Sequence, residues 1–139
     1  MNINPTTMDL SAIMKKYAAE TGAQYTQYDQ SQSIIIAPVA GGRFQTVMGL
    51  ITENALYKRK LISLTSKVCA MKPDIDYKML LEQTAFFNYC RFVIRDNYLQ
   101  VEAIASLIGI SEETVKEMVQ EVANLADQFE MKLTGADIY

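Results

Sequence analysis

The sequence predicts an α+β domain. In it an antiparallel sheet packs against N-terminal, middle and C-terminal helices, in the order α-β-β-β-β-α-β-β-α. Three observations lead there. The apolar runs "SIIIAPVA" and "VMGLI" are strand-sized and far short of the ~18 residues that a membrane helix requires. The stretch Cys90 to Ala103 sorts polar from apolar side chains when it is folded as a hairpin. A long amphipathic helix follows, capped at Ser111. The chain has 139 residues, half of them hydrophobic and 21% charged, which is globular composition. No repeat, low-complexity tract or linker interrupts it, so residues 1–139 are expected to form a single domain.

In "TTMDLSAIMKKYAAETG" the hydroxyls of Thr6 or Thr7 are expected to cap a first helix. Leu10, Ile13, Met14 and Tyr17 recur at helical spacing, and Gly22 supplies a stop. "AQYTQY" and "SQSIIIAPVA" read as two strands, rich in β-branched and aromatic residues and separated by polar side chains. Gly41–Gly42 accepts positive φ and makes the next turn. "RFQTVMGLI" is a third strand with Phe44, Thr46, Met48 and Leu50 on one face. "TENALYKRK" is expected to reverse the chain, leaving Lys58–Arg59–Lys60 in a solvated loop. "LISLTSKVCA" returns as a fourth strand with Ile62, Leu64 and Val68 on a common side. In "KPDIDYKMLLEQT", Pro73 bars helix before it and Asp74 or Asp76 can cap a short helix after it.

The hairpin follows from side-chain pairing. With Asp96–Asn97 as a two-residue loop, Ile94 opposes Leu99, Phe92 opposes Val101 and Cys90 opposes Ala103, all apolar and on one side. Arg95 with Tyr98, Val93 with Gln100, and Arg91 with Glu102 take the other side, where Val93 is the one exception to polarity. Asp-Asn suits the left-handed conformations of such a loop. The last helix then carries Val115, Met118, Val119, Val122, Leu125, Ala126 and Phe129 as one stripe, with Glu112 and Glu113 at the positive end of its dipole.

A competing reading takes residues 103–123 as a helix-turn-helix transcription regulator. It needs a helix starting near Leu99 or Val101, which removes a hairpin strand. Its recognition helix would also lay Glu112, Glu113, Glu117, Glu121, Asp127 and Glu130 beside phosphates that repel them. The chain carries 13 basic and 16 acidic side chains, a net charge of −3, whereas nucleic-acid binding draws on a basic balance.

The pattern "LLEQTAFFNYCRFVIRDNYLQVEAIASLIGISEETVKEMVQEVANLADQF" resembles the type III secretion chaperone-like fold, and within it the YbjN-type bacterial proteins. The short helix leads into "NYCRFVIRDNYLQVEA", a strand–turn–strand, then into a capped helix ending near Ala126–Asp127. Asn97 stands where such hairpins often carry Gly. The resemblance covers essentially the whole chain as an order of elements. It implies a cytoplasmic homodimer that binds another protein or a peptide segment against apolar surface, with no catalytic residue, no cofactor and no metal.

The residues point the same way. The absence of histidine removes the usual general base near neutral pH and the commonest transition-metal ligand. Asp74 and Asp76 read as helix caps rather than cation ligands, and Gly41–Gly42 lacks the pattern of a phosphate loop. Cys69 and Cys90 are expected to be reduced and packed. "MNINPTTMDL" lacks a basic segment followed by an apolar run, so neither secretion signal nor membrane partner is expected. Phe86, Phe87 and Tyr89 are the candidate partner-binding residues. Three aromatics in four positions cannot all point one way, and core packing at a helix-to-strand junction competes with an anchoring role.

Overall fold

The structure is a computed structural model that describes residues 9–27, 29 and 32–135. Helix α1 spans Leu10–Thr21, strands β1 and β2 span Gln24–Gln27 and Gln32–Pro38, and β3 and β4 span Phe44–Asn54 and Arg59–Ala70. Helix α2 (Tyr77–Thr84), strands β5 (Cys90–Arg95) and β6 (Tyr98–Ser106), and helix α3 (Glu112–Thr134) complete the chain. This is the expected α-β-β-β-β-α-β-β-α order. All six strands join one antiparallel sheet, ordered β1-β2-β3-β4-β6-β5.

The β5–β6 hairpin has the register that side-chain polarity requires, with Cys90, Phe92 and Ile94 opposite Ala103, Val101 and Leu99. Asp96 and Asn97 hold φ of 53° and 63°, so both loop residues adopt the left-handed conformation. The strand therefore occupies the segment where a helix-turn-helix would need its first helix.

Helix ends follow from local chemistry. Asp9 caps α1 by accepting from the Ala12 N–H, while Thr6 and Thr7 lie outside the described residues. Of the two candidate caps for α2, Asp76 takes the role by accepting from the Met79 N–H at 3.0 Å. Ser111 caps α3 through the Thr114 N–H, and Lys132 sits at the opposite, negative end of its dipole. The helix covers the stripe read through Phe129 and Glu130, passes the end near Ala126–Asp127 that the resemblance implies, and stops at Gly135 with φ 71°.

The β3–β4 hairpin corrects one boundary. Thr52, Glu53 and Asn54 pair with Leu61, Lys60 and Arg59, so the ladder reaches into the segment read as a reversal. The Asn54 side chain accepts from the N–H groups of Leu56 and Tyr57, closing a tighter turn over residues 55–58. Lys58 lies in that turn, whereas Arg59 and Lys60 are exposed strand residues.

One face of the sheet meets α1 and α3. Ile35, Val47, Ile62, Leu64, Val101 and Ala103 point to it and are wholly buried, together with Val115, Val122 and Ala126 of α3 and Met14 of α1. Phe87, Phe92 and Phe129 close one end of this core edge to face, at centroid distances from 4.9 to 6.2 Å. Where the β4–β6 register shifts between Lys67 and Cys69, both Val68 and Cys69 are buried. Arg43 reaches from the β2–β3 connection to Asp127 of α3 through paired bonds of 2.9 and 2.8 Å, tying the far end of the helix to the sheet.

Gly49 sets the seat of α1. A Cβ at that position would overlap the Met14 sulfur and come within 3.4 Å of Leu10 Cδ2. Met14 is fully buried and cannot swing aside freely. Replacing Gly49 by Ala is expected to lower unfolding stability by about 1–3 kcal/mol, the usual cost of overpacking a core, measured by denaturant unfolding.

Candidate functional site: the uncovered face of the sheet

The alternation that buries Ile35, Val47 and Leu64 sends their neighbours to the opposite side. Ile34 and Ile36 of β2, Thr46, Met48 and Leu50 of β3, Leu61, Ser63, Thr65 and Lys67 of β4, and Gln100, Glu102 and Ile104 of β6 share that face by register. No described helix lies on it. Met48 is 37% exposed, Ile104 40% and Phe44 52%, so the face carries large apolar side chains in contact with water. The sequence reading placed Phe44, Thr46, Met48 and Leu50 on one face correctly, and this face proves to be the open one.

A trough of about 580 Å³ runs over β3, β4 and β6. Thr46, Met48 and Leu50 line one side, Ser63 and Thr65 its floor, and Lys67, Arg95, Asp96 and Gln100 the other. At its charged end Glu102 is only 1% exposed, yet it lies on the open face because Arg91 and Arg95 fold over it at 3.0 and 2.9 Å. A carboxylate so enclosed is stable only while paired, so the two guanidinium groups are held in place by it. The Lys67 ammonium lies 4.3 Å from the centroid of the Tyr98 ring and forms no ion pair with a carboxylate among the described residues.

The three aromatics singled out in the sequence part company. Phe86 is 80% exposed. Phe87 packs inward against Phe92 and Phe129. Tyr89 donates its hydroxyl to Glu117 at 2.6 Å, and that bond raises its phenol pKa above the ordinary value. Tyr77 and Leu81, one helical turn apart on α2, are likewise exposed. Nothing in the sequence alone separated Phe86 from Phe87, because the turn that divides them comes from the hydrogen bonds of residues 84–88.

The next residues, 88–90, are gathered by Glu121 of α3. Its carboxylate accepts from three successive backbone N–H groups, those of Asn88, Tyr89 and Cys90, at 3.1, 2.8 and 3.0 Å. Burial alone would raise its pKa, but these donors and the Cys90 thiol outweigh burial and hold it below the usual carboxylate range. Burial first, and then the hydrogen bond to Glu121, push the Cys90 thiol well up. Cys69 is also shifted up by burial, against the pull of the Lys72 charge. Both cysteines are free and buried. Such thiols are poor nucleophiles, since the thiolate is the reactive form.

Among the described residues, no three His, Cys, Asp or Glu side chains converge as metal ligands. No described helix is long and apolar enough to cross a membrane. No protein-family model matches the chain, and no curated protein matches it.

Glu121 makes a pH prediction. A depressed folded pKa gives stability that is fully present above the unfolded value of about 4.3 and is lost as pH falls through the folded one. Glu121→Gln is expected to cost about 1.5–3 kcal/mol at neutral pH, the range of a hydrogen bond to a charged group. In denaturant melts that deficit should stay constant above about pH 5 and shrink on further acidification.

Proposed function

We propose that this chain is a non-enzymatic protein-binding domain, chaperone-like or regulatory, that holds a partner segment on the uncovered sheet face and pairs with a second copy of itself. The observation that carries the reading is that face: Met48 and Leu50 line a trough of about 580 Å³, Ile104 shares the face by register, and no described helix covers it. A sheet that buries only one side leaves apolar area in water, and burial of that area against a partner is the favourable term such a surface offers. The resemblance to YbjN-type proteins of the type III secretion chaperone-like fold supports the same reading, and with it a bacterial, cytoplasmic setting.

The homodimer is assigned to the outer side of α2. Tyr77, Leu81 and Phe86 are 43%, 73% and 80% exposed. A two-fold contact doubles the set to six large side chains. With roughly 90–160 Å² still open on each, these side chains bury on the order of 750 Å², below the roughly 1,200 Å² of a stable interface. The dimer is therefore weak and concentration-dependent. Phe86 belongs to it, whereas Phe87 and Tyr89 position the loop that presents Phe86.

Two variants separate the surfaces. Sedimentation equilibrium of Phe86→Ser should show a loss of dimer with unfolding stability held within about 0.5 kcal/mol, as for other exposed substitutions. Phe87→Ala should instead lower stability by about 2–3 kcal/mol through the ring cluster. Proteins retained from the native cell by the tagged wild type should be lost with Met48→Asp, a folded variant that puts a charge on the open face. An unchanged set of retained proteins contradicts the role of that face, and retention on DNA that falls with salt points to nucleic acid instead.

A further inference from the structure

The open face and the helical layer differ in charge as well as in cover. Arg59, Lys67, Arg91 and Arg95 project on the open side by strand register, against Glu102 and, at the adjoining hairpin loop, Asp96. Four cations against two carboxylates make that face positive on a chain whose net charge is −3. Helix α3 carries the opposite balance, with Glu112, Glu113, Glu117, Glu121, Asp127 and Glu130 against Lys116 and Lys132. Packing the open face of one copy on that of another would bring like charges together, which costs free energy and argues against self-association through it.

The strands beneath the trough add a second constraint. β3, β4 and β6 are interior strands, flanked on both sides, so their backbone N–H and C=O groups are engaged in ladders. An occupant of the trough cannot join the sheet there as an added strand. It must satisfy its own backbone, and an α-helix does so within one segment. A helix on this side would also give the sheet a second covering layer, opposite α3.

We infer that the trough over β3, β4 and β6 takes an acidic amphipathic α-helix of a partner protein, with apolar side chains against Met48 and Leu50 and carboxylates at Lys67 and Arg95. This assignment rests on the open face being the docking surface, and it names the chemistry and conformation of what docks. Arg95 keeps its place through Glu102 and presents its remaining donors to the trough. Lys67, which lines the trough, forms no ion pair with a carboxylate among the described residues.

The test uses the full chain and two fluorescent peptides of about 18 residues, roughly 27 Å long as helices. Both carry the same leucines at helical spacing, one with Glu and the other with Lys at the polar positions. The acidic peptide should bind, gain helical circular dichroism on binding, and weaken as salt rises from about 0.1 M to about 1 M, where the screening length falls to about 3 Å. Lys67→Glu should weaken it about tenfold. Lys15→Glu, the same charge change on the exposed side of α1, should not. Equal or tighter binding of the basic peptide, or equal losses from the two variants, overturns the acidic assignment while leaving the docking face in place. Binding without added helicity overturns the helical conformation. Equally tight binding of single-stranded DNA or of phosphatidylserine vesicles overturns it in favour of a general polyanion surface. The docking reading itself fails separately: neither peptide binds, and Met48→Asp leaves the proteins retained from the cell unchanged.

Discussion

The fold depends on a single register, in which Leu99, Val101 and Ala103 of β6 face α3 while Gln100, Glu102 and Ile104 face away. A slip of one residue would exchange the two sets, placing a carboxylate against the core and apolar side chains in water. The register is secured from both neighbours. β5 sets it through Cys90, Phe92 and Ile94, and β4 through Ile62 and Leu64. The Arg91–Glu102–Arg95 group adds a charge constraint, because Glu102 finds its two partners only on the outward side.

From that register come both faces of the molecule. The inward face, roofed by α1 and α3, supplies the core and accounts for stability. The outward face keeps Thr65, Lys67, Arg91 and Arg95 in contact with water while presenting Met48, Leu50 and Ile104. Glu121 extends the same division to the chain connecting α2 with β5. It gathers the backbone N–H groups of residues 88–90, directly after the turn in which the Phe86 and Phe87 N–H groups bond to Gln83 and Thr84, with Phe86 exposed and Phe87 packed against the core.

Much of the fold was legible because its signals are local. The β5–β6 pairing could be read from alternation and from Asp96–Asn97, and α3 from its stripe and its Ser111 cap. The misplaced boundaries have local causes of another kind. Asn54 folding back on Leu56 and Tyr57 lets β3 and β4 extend toward each other, and α3, read through Glu130, runs one further turn to Thr134 before Gly135 stops it. The open face was the least legible feature. Phe44, Met48 and Leu50 alternate as a buried face would, and only the placement of the helices distinguishes a covered apolar row from an uncovered one. Lys67 and Arg95 come together across β4, β6 and β5, which no short sequence window contains.

The most direct test of the two-faced sheet is the pattern of side-chain nuclear Overhauser contacts in the free protein at low concentration. Methyl groups of Val101 and Ala103 should contact side chains of α3, residues 98–106 should have extended backbone shifts, and the methyls of Met48 and Ile104 should contact no helix. A contact between Met48 and α3, or helical shifts beginning at Leu99, would contradict the account.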